Sequence, residues 1–254
     1  MQKQTLVELS KVQWLEIKRV PRTFFLIMIF PLLFLLMFWG IDMLTPAQAD
    51  GLSFMEYLFP GLIVFALLSS GLLGTAIPLI EQRKSGVLRL LEISPLKKST
   101  YVLSQISVRF LIGVFQMVLF LLLGLLLGII SISQFLPGIA ISMLTLAMMV
   151  TLGFIFGSIL QSAETAGALL GGLSAPVLML SGVLMPLSIY SSQVMDTIAL
   201  FFPFTYLGDV KRDLLIVNYS AEYPLWLSLT VIMITIVILF TIAIRVFSWS
   251  KTSA

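Results

Sequence analysis

The densest group of residues able to do chemistry lies in the stretch 81–100, which carries five bases and two acids: Arg83, Lys84, Arg89, Lys97, Lys98, Glu81 and Glu92. The chain has no cysteine and no histidine, so thiol chemistry and the usual zinc and haem ligands are absent. The sequence shows no nucleophile–base pair and no cluster of metal ligands, so we expect neither a catalytic site nor a metal site. The chemistry expected of this stretch is binding.

Composition indicates which elements surround this stretch. Of the 254 residues, 59% are hydrophobic and 11% charged, with a mean hydropathy of +1.09. A soluble domain has about 25% charged residues. The apolar runs are continuous rather than alternating, which predicts an all-α polytopic membrane protein surrounded by lipid. Each charge at a bilayer centre costs about 2.5–3.5 kcal/mol, so the stretch 81–100 must stay in water.

Uncharged apolar runs predict six spans within one domain, residues 1–254. A span needs about 20 apolar residues. The predicted spans are residues 23–41, 57–80, 105–130, 137–160, 165–185 and 223–245. Residues 3–22 come first and place basic side chains opposite Trp and Leu, a pattern typical of an amphipathic helix in the membrane interface.

The distribution of bases predicts the orientation of these spans. Thirteen of the fifteen Lys and Arg residues fall on one side of the membrane in this arrangement of spans, and only Lys211 and Arg212 fall on the other. By the positive-inside rule, both termini and the stretch 81–100 are cytoplasmic. We expect the plasma membrane of a prokaryote. The net charge of +3 fits this rule better than nucleic-acid binding, and no nucleic-acid partner is expected.

The extracellular segment 196–215 is expected to be a re-entrant helical hairpin. Its apolar part is too short to cross a membrane, and Pro203 in the middle predicts two half-helices that meet at a break. Its bases, Lys211 and Arg212, stand beside Asp209 and Asp213. This arrangement predicts local ion pairs.

A short two-faced helix is predicted within residues 85–95. Ser85 is the expected N-cap, and Ser94, which precedes Pro95, ends the helix. Its apolar side chains share one exposed arc: Val87, Leu88, Leu90 and Leu91. Because so short a helix is unstable alone, this arc needs a surface to bury it. Periodicity leaves two surfaces open, the lipid headgroups and a groove on a cytoplasmic partner.

Two motifs resemble those of ABC-2 type permeases. The first is E-x-[RK]-x-x-G-x-L-x-x-L-x-x-x-P-L after the second span, at Glu81, Arg83, Gly86, Leu88, Leu91, Pro95 and Leu96. The second ends span five and continues into the extracellular segment, at Leu180, Ser181, Gly182, Pro186, Leu187, Pro203, Thr205, Tyr206 and Arg212. The resemblance extends over essentially the whole chain, including its expected topology.

The resemblance implies the membrane subunit of an ATP-binding-cassette exporter rather than an enzyme. The segment 85–95 would be the coupling helix that docks on a separate ATPase, through Glu81, Arg83, Gly86, Val87, Leu88, Leu90, Leu91 and Pro95. The extracellular gate would contain Pro186, Pro203, Tyr206 and Arg212. The chain lacks the phosphate-binding G-x-x-x-x-G-K-[ST] loop, so it needs no cofactor, and the partner binds ATP and Mg. Two ATPase copies and a second permease copy are expected.

Mid-span side chains suggest a cargo path: Phe65, Ser69, Gln116, Ser174, Met179 and Ser181. Hydroxyls in spans more often bond to their own helix, whereas a buried glutamine is expected to face a partner helix or a cavity. No carboxylate lies deep in a span, which argues against a proton- or sodium-coupled carrier. The expected cargo is a drug, antimicrobial or lipid-like molecule. The alternatives are polysaccharide or lipid-linked glycan export, an ATP-independent carrier and a structural scaffold.

Three G-x-x-x-G pairs allow helices to approach closely: Gly124–Gly128, Gly153–Gly157 and Gly167–Gly171. All three are expected to pack spans within the chain. The third lies on span five, where, with span one, the resembling family places its dimer contact. It is therefore the best candidate for contact with a second copy.

Overall fold

The computed structural model describes residues 8–13, 15, 21–44, 53–184, 193–217 and 219–249, in which all regular structure is helical. The helices are α1 (Pro21–Asp42), α2 (Phe54–Lys84), α3 (Val87–Glu92), α4 (Lys98–Leu126), α5 (Ile132–Ile159), α6 (Ala163–Leu180), α7 (Gln193–Leu200), α8 (Pro203–Leu215) and α9 (Leu225–Val246). One π-helical segment, Leu68–Leu73, interrupts α2. A further helical turn covers residues 8–13.

Five predicted spans coincide with helices long and apolar enough to cross a membrane: α2, α4, α5, α6 and α9. The sixth, in α1, stays a prediction, because its described apolar stretch Met28–Asp42 is shorter than a span. Several helices extend beyond the predicted span bounds, which stay predictions. The helix α4 begins at Lys98 rather than at 105. The helix α5 begins at Ile132 rather than at 137, and its first turn is capped because the Gln134 side chain accepts a hydrogen bond from the Ser131 N–H at 2.7 Å.

The long helices run between two ends of the bundle. We call the end that carries residues 81–100 the basic end and the opposite one the distal end. The helix α5 lies centrally and packs on α2, α4, α8 and α9. It crosses α2 closely, because a Cβ at Gly153 would lie only 2.5 Å from the Leu72 carbonyl oxygen and one at Gly157 only 2.9 Å from the Ala76 Cα. This glycine pair therefore packs two spans within the chain, as predicted.

The glycines of α6 are in a different environment. A Cβ added at Gly167 or Gly171 would meet nothing within 4 Å, so the prediction that this pair packs within the chain is wrong. The helix rests on α2 through its other side, which includes Ala166 and Leu170. In the remaining pair, Gly124 packs on a phenylalanine ring while Gly128 has a positive φ of 75° in the turn after α4.

The segment after α6 contains two short helices with a break between them, as predicted. Pro203 is the first residue of α8, where its missing N–H is no loss. The two helices are fastened together because Thr205 Oγ1 donates to the Ala199 carbonyl at 2.7 Å and Tyr206 OH donates to the Leu200 carbonyl at 3.2 Å. That this hairpin re-enters the membrane stays a prediction.

Residues 8–13 and 15 of the expected interfacial helix 3–22 form a helical turn at the basic end, while its last two residues, 21 and 22, belong to α1. Gln13 is buried there, and its Nε2 donates to the Ser104 hydroxyl of α4 at 3.0 Å. The remainder of the expected helix lies outside the described residues.

Candidate functional site

The short helix α3 begins differently from the prediction. Its N-cap is Gly86, with a left-handed φ of 79° and no side-chain cap. Ser85 instead ends α2, and its hydroxyl donates to the Gln82 carbonyl at 3.1 Å. The predicted Ser85 cap is therefore wrong, because the left-handed turn separates this serine from the helix. At the other end, the Ser94 hydroxyl donates to the Leu91 carbonyl at 2.6 Å.

The four side chains of the predicted exposed arc divide between two environments. Leu88 is only 1% exposed, and it packs with the half-buried Leu91 in the core of the basic end. Val87 is 43% exposed and Leu90 69%, and Ile93 just beyond the helix is 85% exposed. The prediction of one exposed arc is therefore wrong, because α3 docks on the bundle through part of it. We call Val87, Leu90 and Ile93 the exposed apolar edge.

The buried cluster that contains Leu88 of α3 also contains three aromatic residues, Tyr101, Phe247 and Trp249, which we call the seat. Each pair of these rings has a centroid separation of 5.1 Å. Tyr101 lies in the first turn of α4, while the other two residues follow α9, and all three are buried with Leu88 in one cluster. The seat thus brings together residues that are far apart in the sequence.

A buried polar network extends the seat to α2. The Gln82 Oε1 atom accepts hydrogen bonds from Tyr101 OH and from Gln105 Nε2, each at 2.7 Å. Gln105 Nε2 also donates to Tyr101 OH at 2.9 Å. Sequence reasoning missed these residues and the other two seat aromatics. The only signal was the presence of amides and aromatic rings beside a charged loop, which does not indicate that they meet.

The remaining residues proposed for coupling differ in exposure. Arg83 Nη1 donates to the carbonyls of Gly157 at 3.1 Å and Leu160 at 3.4 Å. These carbonyls lie at the end of α5, where helical partners are missing. Arg83 therefore fastens α2 to α5, whereas Glu81 and Pro95 are exposed at the surface.

At the distal end, Arg212 holds the end of α6 against α8. Its buried Nη2 atom donates to the carbonyl of Gly182 and, at 2.8 Å, to that of Val183. The chain following α6 runs between two glycines. A Cβ at Gly61 would lie 2.7 Å from the Val183 carbonyl oxygen, and one at Gly208 would lie 3.1 Å from the Val183 Cα. We call Asp209, Lys211, Arg212 and their contacts the clasp.

Asp209 binds the loop before α9. One carboxylate oxygen accepts from Tyr219 OH at 3.2 Å and from the Glu222 N–H at 3.0 Å, and the other accepts from the Tyr223 N–H at 3.0 Å. Burial, with a smaller contribution from Asp209, raises the pKa of Tyr219 to about 12. The predicted pairing of Asp209 with the neighbouring bases is wrong, because this loop supplies its donors.

Lys211 points toward another helix. Its side chain is 0% exposed, and Nζ donates to the Ser142 hydroxyl of α5 at 3.2 Å. Among the described residues this hydroxyl is its only hydrogen-bonding partner, and no carboxylate pairs with it. Burial lowers the pKa of Lys211 from its ordinary 10.5 to about 7. The clasp therefore contains an uncompensated amine.

Of the expected gate residues, Pro203, Tyr206 and Arg212 all lie on α8 at the distal end. Pro186 lies outside the described residues. The structure therefore brings three of the four residues to one helix, while their gating role stays a prediction.

The six cargo-path candidates are spread over three regions. Phe65 and Ser69 are on α2, Gln116 is on α4, and Ser174, Met179 and Ser181 lie in or just after α6. The Gln116 side chain is fully buried, and the Ser174 hydroxyl donates to the Gly171 carbonyl of its own helix at 2.6 Å. A distal cavity of about 210 Å³, lined in part by Glu56 and Gln134, includes none of the six.

Comparison with known proteins agrees with this architecture. A family described as ABC-2 family transporter protein matches residues 43–245, which include α3, the clasp and, of the seat, Tyr101 alone. A candidate transport permease, ycf38 of Cyanophora paradoxa, is 33% identical over 132 residues. That alignment covers 50% of this chain and 44% of the relative, so less than half of the relative's length is matched. Because the family match covers most of the sequence, the chain belongs to the ABC-2 family of transporter proteins.

Proposed function

We propose that this chain is the permease subunit of an ATP-driven exporter and that α3 receives a separate ATPase subunit. The observation that carries the proposal is the exposed apolar edge of α3. Three large apolar side chains point into solvent from a helix whose opposite side is already docked. Such a patch at a charged surface is typical of a protein interface. Permeases of this family normally work with an ATPase subunit.

The charges around the edge favour a protein groove over lipid headgroups, the choice that periodicity left open. Acids and bases are both exposed on and beside α3: Glu81, Lys84, Arg89, Glu92, Lys97 and Lys98. Anionic headgroups would pair with the bases but repel the carboxylates, whereas a protein rim can supply partners for both signs. A groove can bury the apolar edge and leave the charges at a polar rim. Fully burying one Leu or Ile contributes about 1.5–3 kcal/mol, so three such residues can anchor a partner.

The same proposal assigns the orientation and the cofactors. The basic end faces the cytoplasm of a prokaryotic cell, and the distal end faces outward. The partner ATPase binds ATP and Mg, in two copies. The expected cargo is hydrophobic or amphipathic. A cysteine at Lys97 should resist a membrane-impermeant thiol reagent in intact cells, whereas a cysteine at Val217 should react.

A second copy of the chain is proposed to pack on α6, where Gly167 and Gly171 leave open space. In a Gly171→Leu variant the added bulk should weaken pairing of the copies and leave the Tm of the protomer unchanged. Ala140→Leu, at an exposed site of α5, is the matched control. Unchanged pairing in Gly171→Leu, measured by cross-linking in membranes, would contradict this contact.

The main experiment is purification of the tagged full-length chain from its own cells. An ATPase with a phosphate-binding loop should co-purify with the native chain. The double variant Leu90→Asp and Ile93→Asp should lose at least 90% of it, because two charges cannot enter an apolar groove. Val217→Asp, a substitution of an exposed apolar residue at the distal end, should retain the ATPase. Transport by a wild-type chain without any ATPase would instead indicate an ATP-independent carrier.

A further inference from the structure

We propose that the segment following α9 is part of the coupling apparatus, because Phe247 and Trp249 hold α3 in the orientation that presents its apolar edge. The proposal rests on the function proposed above for α3. In it the two aromatics are positioning residues that act through Leu88. A partner ATPase need not touch either of them.

The first argument is that α3 cannot orient itself. It has six residues, too few for a stable isolated helix. A left-handed Gly86 joins it to α2, and loop residues join it to α4, so its direction depends on packing. Leu88 provides that packing, because its side chain is only 1% exposed and lies in the buried cluster that contains Phe247 and Trp249.

The second argument is the path of the chain after α9. The helix ends at Val246, and Phe247 adopts an extended conformation with ψ of 123°. This departure from the helix brings Phe247 and Trp249 into contact with Tyr101. Both rings are almost completely buried among side chains from other helices. Their burial indicates that the segment has a structural task.

The third argument is that the seat connects α3 to several long helices. Tyr101 belongs to α4 and bonds to Gln82 of α2. Phe247 follows α9, and its ring lies 5.5 Å from that of Phe154 of α5. A displacement of α3 therefore reaches four long helices, α2, α4, α5 and α9, through packed side chains as well as through the loops. Close packing transmits such a displacement because it leaves little free space.

The proposal predicts that binding of the ATPase and transmission of the movement of α3 to the long helices can be lost separately. Removing a seat ring leaves the exposed edge of α3 chemically intact, so an ATPase can still bind. The helix then moves on its loops, and cargo no longer stimulates ATP hydrolysis. Removing the edge, in contrast, releases the ATPase itself.

The first test needs no partner. The chain has no cysteine, so a single cysteine at Ile93 can carry a nitroxide spin label in the purified full-length protein. Trp249→Ala should increase the mobile fraction of the label at least threefold, while Trp249→Phe should leave it near the native value. The control is Trp226→Ala, because Trp226 is 71% exposed at the opposite end of α9. Equal mobility in Trp249→Ala and the native chain would overturn the proposal. If that variant fails to fold, Trp249→Leu and Phe247→Leu provide the same comparison.

The second test measures cargo-stimulated ATP hydrolysis by the co-purified complex. Trp249→Ala should lower the stimulated rate at least tenfold with the ATPase still bound, and Trp249→Phe should restore it. An unchanged stimulated rate overturns the role of the seat and leaves the proposed function intact. Absence of any ATPase from the wild-type preparation overturns the proposed function, and the spin label then still decides whether the seat holds α3.

Discussion

The two ends of the bundle are stabilised by different interactions. At the basic end, aromatic rings and two neutral amides form the fully buried contacts, Arg83 is half-buried against two carbonyls, and most of the other charges remain in solvent. At the distal end, three charged side chains are themselves buried: Asp209, Lys211 and Arg212. The number of charged residues in a segment therefore does not indicate where charged side chains stabilise the fold.

The two ends also differ in the surface that they offer to a partner protein. The basic end retains an exposed apolar edge on a docked helix. At the distal end, Asp209 and Arg212 bind N–H groups, a hydroxyl and carbonyls of their own chain. Opening the distal end must therefore break charge-assisted hydrogen bonds, which are stronger than neutral ones. We expect the input of energy at the basic end and resistance to opening at the distal end.

The largest expected effect is the loss of Arg212. In Arg212→Ala, two buried carbonyls lose a charged donor, which should lower the free energy of unfolding by about 3–4 kcal/mol. The Tm in detergent should fall by about 10 °C, because 1 kcal/mol corresponds to roughly 2–4 °C in a chain of this size. Arg89→Ala removes an exposed arginine at the basic end and is the control. A similar Tm in the two variants would remove the distinction between the ends.

An intermediate effect is expected from the buried side of α3. Leu88→Ala should weaken its docking by about 2 kcal/mol, which raises the fraction of undocked helix roughly thirtyfold. Trypsin should then cleave after Arg89 at least tenfold faster. Leu90→Ala changes an exposed residue of the same helix and should alter this rate less than about twofold. Equal rates for both variants would mean that α3 is not docked through Leu88.

A smaller effect, dependent on pH, is expected at Lys211. The unfolded amine keeps its proton to about pH 10.5, whereas the buried amine releases it near pH 7. Between these values the unfolded chain binds more protons, so the free energy of unfolding rises with pH. Below pH 7 the full penalty of a buried charge remains.

The variant Lys211→Met should therefore lose this rise and should be the more stable protein at pH 6, by about 5 °C in Tm. Thermal unfolding between pH 6 and 9.5 provides the measurement. Lys97→Met, at an exposed position, should retain the native slope. If the stability of Lys211→Met rises with pH as steeply as that of the native chain, the Lys211 amine of the native chain is solvated.

The sequence predicted the helices better than their contacts. Hydropathy located five helices that are long and apolar enough to cross a membrane, because lipid requires continuous apolar helices. The docking side of α3 was not predictable, since its seat comes from residues as distant as Trp249. Asp209 and Arg212 were expected to pair because they are neighbours on one helix. Their actual partners are a later loop and the end of α6, which only the folded chain brings close.

The most direct measurement is cross-linking in living cells from a single cysteine at Leu90, compared with one at Val217. Both positions are exposed and apolar, but they lie at opposite ends of the bundle. A thiol-reactive cross-linker should join residue 90 to an ATPase with a phosphate-binding loop and should join residue 217 to none. Absence of that adduct at residue 90, or equal amounts at the two positions, would contradict the account that the basic end receives the energy for transport.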